Sequence, residues 1–148
     1  MKLKTLILFF TLFCLSITSK GQKLTIENYL LNFDYEARIE MKIRSSQLAD
    51  LIKKGEVQLV DIRFEEEFKS WNMPFAISIP LPELPKNLHK ISKDKLIVTA
   101  CPHNDRAIIA MVYLKTQGYK VKYLSDGLLE LANYLRGNNA LKFIGEDD

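Results

Sequence analysis

Histidine and cysteine are scarce in this chain: His89, His103, Cys14 and Cys101 are all there is, and no two stand at metal-ligand spacing. A metal centre therefore has no ligand set to rest on. Glycine is thin too, six in 148 residues and never clustered, so there is no phosphate-cradling loop and no dinucleotide fingerprint. No serine lies in a hydrolase-type motif with a histidine and a carboxylate. Internal repeats and low-complexity stretches are missing as well. These absences leave no cofactor to expect.

An excess of one charge is also missing, once the N-terminus is read. Lys2 and Lys4 precede an almost wholly apolar run, Leu6 to Leu15, followed by small and polar residues. The run falls short of the roughly 20 apolar residues needed to cross a bilayer. The pattern predicts an export signal over residues 1–21, cut before Gln22 after Ser19-Lys20-Gly21. Phe13 is too bulky to precede a lipid-modified Cys14. The whole chain has 21 basic and 18 acidic residues; without Lys2, Lys4 and Lys20 each sign numbers 18. The apparent basicity is a targeting feature, and a nucleic-acid partner gains no support from it. The mature chain has no membrane span and is expected to be exported, to the periplasm or beyond.

What is there is enough for one ordinary domain. Residues 22–38 form an extension with helical periodicity at Ile26, Tyr29, Leu30 and Phe33, either a docked helix or a loose arm. Ile39 to Ile43 alternates as an outer strand does. Ser45 is placed to cap a helix running to about Lys53, with Gly55 beyond it. Val57 to Ile62 reads as a buried strand, Phe64 to Trp71 as a helix with Glu65, Glu66 and Glu67 at its start. Ala76 to Ile79 is a brief strand, and the prolines at 80, 82 and 85 allow only short helical turns after it. Leu96 to Ala100, the most hydrophobic strand, belongs at the centre. The helix from Arg106 to Gln117 is apolar almost all round, which predicts deep burial. Val121 to Leu124 is a strand, and Leu128 to Arg136 a helix closed by Gly137. Residues 138–148 read as a tail. Strand alternating with helix predicts an α/β domain around a mostly parallel sheet.

In such a sheet ligands gather at the carboxyl ends of strands, where Asp61, Cys101 and Ser125 fall. Cys101 is the one cysteine left after signal removal, so it has no intramolecular disulfide partner. It ends a strand, and Pro102, His103, Asn104 and Asp105 turn the chain before Arg106 opens a helix. Such a turn aims backbone N–H groups at one point beside a positive helix end, which favours a thiolate. The alternative is a buried structural cysteine. Arg106 is expected to pair with Glu67 or Asp61 and to favour the thiolate by its charge. His103 is either a titrating group or an exposed loop histidine. Asp61 and Arg63 organise the rim. Pro102 withdraws one N–H from the cradle, and Asn104 is suited to a left-handed turn.

Four stretches in order carry a resemblance: Leu59-Val60-Asp61-Ile62-Arg63 with Glu67-Phe68, Pro74 with Ala76 to Pro80, the loop Cys101 to Arg106, and Leu124 to Leu128. From about Ile39 to Gly137 the chain resembles a single rhodanese-like domain. The resemblance implies a three-layer fold with a central, mostly parallel five-stranded sheet flanked by helices. It implies sulfur transfer through a persulfide on Cys101, with residues 102 to 106 as the substrate bed. A small donor such as thiosulfate or a persulfide, a thiol or cyanide acceptor, and a protein thiol partner are the implied reactants. Related phosphatases carry a loop one residue longer, which disfavours phosphatase or arsenate reductase chemistry here. A non-catalytic module that carries sulfur or docks a partner is the alternative.

Overall fold

The computed structural model describes residues 24–145. The expected export signal, its cleavage point and Cys14 lie outside them. The elements run α1 (Ile26–Leu31), α2 (Tyr35–Glu40), β1 (Lys42–Ile43), α3 (Ser45–Lys53), β2 (Val57–Asp61), α4 (Glu65–Ser70) and β3 (Ala76–Ser78). Two 3-10 turns come next at Leu81–Lys86 and Leu88–Lys90, then β4 (Leu96–Ala100), α5 (Asp105–Thr116), β5 (Val121–Leu124), α6 (Gly127–Tyr134) and α7 (Asn138–Ile144). The five strands are ordered β1-β5-β4-β2-β3, and every pairing is parallel. The sheet is thus wholly parallel, with β4 central as its hydrophobicity demands.

Two apolar layers flank the sheet, and strand alternation decides which residue joins which. Along β4, Ile97 faces the layer built with Ala107, Ala110, Met111 and Leu114 of α5. Val98 and Ala100 face the opposite layer, with Leu48 of α3 and Leu128 and Leu131 of α6. Thr99 turns back toward α5, where its hydroxyl donates to the Ala107 carbonyl at 2.8 Å. The same alternation sends Cys101 into the α5 layer.

Three readings of the sequence need correction. The strand expected from Ile39 is helical up to Glu40, leaving two residues to pair with β5. Residues 35–40 follow an Asp34 whose carboxylate accepts the Ala37 N–H at 2.8 Å, and that cap outweighs the short alternating pattern. The extension is two short helices, and α1 packs on α5. Helix α5 is not buried all round: Ala107, Ala110, Met111 and Leu114 form its buried face, while Ile109 is 58% exposed. The residues expected as a tail form α7, which lies against α3 and brings Phe143 to 5.3 Å from Phe75.

Helix α3 is capped from far along the chain. Ser45 is its first helical residue, and the Asp126 carboxylate accepts the Ser45 N–H at 3.1 Å through either oxygen. A carboxylate at a helix start satisfies an orphan donor and complements the dipole. Asp126→Ala is expected to lower stability by about 1–2 kcal/mol in a urea titration; an unchanged midpoint would remove this contact from the account.

Candidate active site

The site is built where β4 ends and α5 begins. Asn104 occupies the N-cap position of α5 with φ −154° and ψ −12°, so it does not use the left-handed turn to which asparagine is suited. Its side chain makes no cap; the amide donates to the Ser125 carbonyl at 3.1 Å, tying the loop to the end of β5. The early α5 N–H groups are therefore left for another acceptor. The N–H groups of Ala107 and Arg106 are the influences that favour the anion of Cys101.

Other influences oppose them. Cys101 has no exposed surface, and burial is the largest influence, pushing the thiol above its ordinary 9.0. Asp105 adds to this: the thiol donates to its carboxylate, Sγ to Oδ1 3.4 Å, and the negative charge disfavours a second anion. Desolvation and Asp105 thus work against the resting thiolate that the loop led one to expect, and outweigh the pull of the two amides. Asp105 is held below its ordinary value, first by the Arg106 backbone N–H and then by the Cys101 thiol.

Arg106 chooses Glu67. Its two terminal nitrogens donate to the two carboxylate oxygens at 2.6 and 2.9 Å, a forked pairing with the Phe64 ring 5.7 Å away. Glu67 also accepts the Phe64 N–H at 3.0 Å, so one carboxylate starts α4 and closes the cysteine loop. The pairing spends both terminal nitrogens on Glu67, yet the Arg106 charge and a Cys101 anion still favour one another, as expected, less strongly than Arg106 and Glu67 do. Asp61 pairs instead with Arg63: the buried guanidinium donates to the carboxylate at 2.6 to 3.0 Å and to the Trp71 carbonyl at 2.8 Å, with the Trp71 ring 4.1 Å away. This pair joins the end of β2 to the end of α4. Of the other loop residues, Pro102 is half-buried and His103 is exposed.

The structure gives a part to Gly127, in the Leu124 to Leu128 stretch, that the sequence reading did not assign it. Gly127 has φ +77°, and a Cβ there would lie 2.3 Å from the Pro102 carbonyl oxygen and 2.4 Å from that of His103. That bare contact lets the Leu128 N–H donate to the Cys101 carbonyl at 2.9 Å. The cysteine loop is held by two helix starts, α5 on its amides and α6 on its carbonyls. A groove of about 720 Å³ opens nearby over Lys42, Arg44, Gln47, Ser125 and Asp126, but Cys101 does not line it.

An all-parallel α/β domain with a thiol at the carboxyl end of its central strand, the one cysteine among the described residues, defines the class. Residues 45–133 match the model of the rhodanese-like domain, and the chain belongs to that family. It is 33% identical over 97 residues to a sulfurtransferase of Allochromatium vinosum, covering 65% of this chain and 88% of that protein. It is 38% identical over 87 residues to the HTH-type transcriptional regulator Rv0324 of Mycobacterium tuberculosis, covering 55% of this chain but 38% of the regulator. The crystal structure of the BH2092 protein of Bacillus halodurans matches with a TM-score of 0.59 at 27% identity, over 72% of this chain and 80% of that one. Relatives named as sulfurtransferases make this a sulfurtransferase-like family.

Gly127→Ala is expected to cost more than about 1 kcal/mol in chemical denaturation and to change the alkylation rate of Cys101, since strained backbone and a clash meet at the loop. Retention of both values would mean the loop is not held there. The closure by Arg106 carries a signature in acid. Arg106 holds the Glu67 carboxyl at about 2, down from 4.5. A depressed folded value stabilises above the unfolded one and is lost as pH falls through the folded one. The stability gap between the wild type and Glu67→Gln should accordingly be full above pH 4.5 and close as pH falls toward about 2. A gap that stays constant over that range would contradict the assignment.

Proposed function

We propose that this protein is a sulfurtransferase that moves a sulfane sulfur from a donor to a thiophilic acceptor through a persulfide on Cys101. The observation that carries the reading is the place of the Cys101 thiol, at the end of β4 and the start of α5, inside a loop closed by the Arg106–Glu67 pair, with the Arg106 and Ala107 N–H groups favouring its anion. Cys101 gives up its proton, and Sγ bonds to the outer sulfur of the donor. The bond between that sulfur and the rest of the donor breaks, and the remnant leaves with the electron pair. A second nucleophile, a small thiol, a protein thiol or cyanide, then takes the outer sulfur and Cys101 is restored. Splitting the transfer through a covalent intermediate is the benefit of nucleophilic catalysis. The two amides stabilise the anionic sulfur at each stage, and in comparable sites one such donor is worth about 3 kcal/mol. Pro102 offers none. The residues involved bring no need for a cofactor. As part of the same reading, the chain acts after export, with residues 1–21 removed.

A second reading has its own support. Cys101 is sealed from solvent, and its thiol is engaged by Asp105. Both favour a module that holds sulfur or docks a partner without turnover. Intact mass after exposure to a sulfane-sulfur donor, with and without an acceptor, separates the two. Sulfurtransferase action predicts one added sulfur on Cys101, its loss on adding cyanide or a thiol, and repeated turnover. Cys101→Ser is expected to abolish the adduct and all turnover. Sulfur loading without turnover would favour the carrier. Absence of any adduct would overturn the persulfide.

A further inference from the structure

The charges around Cys101 do not suit every sulfur donor. Two side chains of the segment 101–107 carry fixed charge at neutral pH, Asp105 and Arg106. Arg106 gives both terminal nitrogens to the Glu67 carboxylate, so that pair presents no net charge. Asp61 and Arg63, buried behind it, cancel one another likewise. Asp126, beside the Gly127 that the loop rests on, is a further carboxylate, engaged with the Ser45 N–H. On α4, Glu65 is paired with Lys69 and Glu66 is exposed. The carboxylate nearest the sulfur is that of Asp105, 3.4 Å away; it is met by the Arg106 backbone N–H and in part by the Arg106 charge, but by no ion pair of its own among the described residues.

Building on the sulfur-transfer reading, we propose that Asp105 is a specificity residue that turns away dianionic thiosulfate and favours a thiol persulfide, R–S–SH, as donor. An atom about to bond to Sγ must come close to the Asp105 carboxylate. At that range a dianion meets twice the repulsion of a monoanion, and because Asp105 is exposed the repulsion is open to screening by salt. A persulfide avoids the repulsion when protonated, and its S–H is a donor that the carboxylate can accept, as it accepts the Cys101 S–H in the resting structure. Thiosulfate has no proton to offer. The exchange balances: Cys101–SH and R–S–SH give Cys101–S–SH and R–SH. The Sγ–S bond forms as the donor S–S bond breaks. The proton held between Cys101 and Asp105 ends on the departing thiolate, and no external oxidant or reductant is needed.

The test is single-turnover loading of Cys101, followed by intact mass, with thiosulfate and with glutathione persulfide. Wild type, Asp105→Asn and Asp105→Ser are compared, the second variant guarding against a failure of the first to fold. Removing the charge is expected to raise the thiosulfate rate relative to the persulfide rate by about tenfold. Added salt is expected to raise the thiosulfate rate in wild type and to leave the variants unmoved. An unchanged donor ratio in folded variants overturns the role of Asp105 and leaves sulfur transfer standing. Failure of wild type to load from either donor overturns the sulfur-transfer reading and this inference with it.

Discussion

A helix start leaves N–H groups without partners, and here the capping residue of α5 meets none of them with its side chain. Asn104, in the capping position, turns instead to the Ser125 carbonyl. The sulfur of Cys101, set on the α5 side of the sheet by the alternation of β4, lies in front of the Arg106 and Ala107 amides. Strand, loop and helix are fitted around that meeting. The Arg106–Glu67 fork closes the loop from the α4 side, and Gly127 admits it on the α6 side.

The resting state is a compromise between opposed effects. Amides draw the sulfur toward its anion, while burial and the Asp105 carboxylate draw it back to a thiol. Burial is the largest of these, so the balance is tipped toward the thiol. A thiol held toward its neutral form is slower toward small alkylating agents. The two arginines divide their work similarly. Arg63 is consumed in a buried brace with Asp61 and the Trp71 carbonyl, and Arg106 in a half-exposed closure with Glu67. Neither offers a free cation to an incoming anion.

Much of the architecture was legible in the residues. β2, β4 and β5 are short apolar runs bounded by turn residues, and the structure places them within a residue of where the pattern did. The order of strand ends at Asp61, Cys101 and Ser125 already implied one rim. Where reading failed, a local pattern competed with a contact. Ile39 alternates with its neighbours, yet Asp34 caps a helix across it. Ser45 looks like a cap, yet the helix begins at Ser45 itself and Asp126 supplies the carboxylate. Helix α5 is apolar in composition, but only its inner face has a sheet to lie on.

By itself the sequence determined the α/β class, the central strand, the lone thiol at its end and the four-residue spacing to Arg106, because periodicity and turn chemistry are local. Tertiary structure decided which carboxylate Arg106 would take, why residue 127 must lack a Cβ, and that Asp105 touches the sulfur. The first of these needs side chains 39 residues apart to be brought within hydrogen-bond range, which no local pattern records. The charge state of the thiol belongs to the second group as well, since desolvation exists only once the sheet and α5 have closed over it.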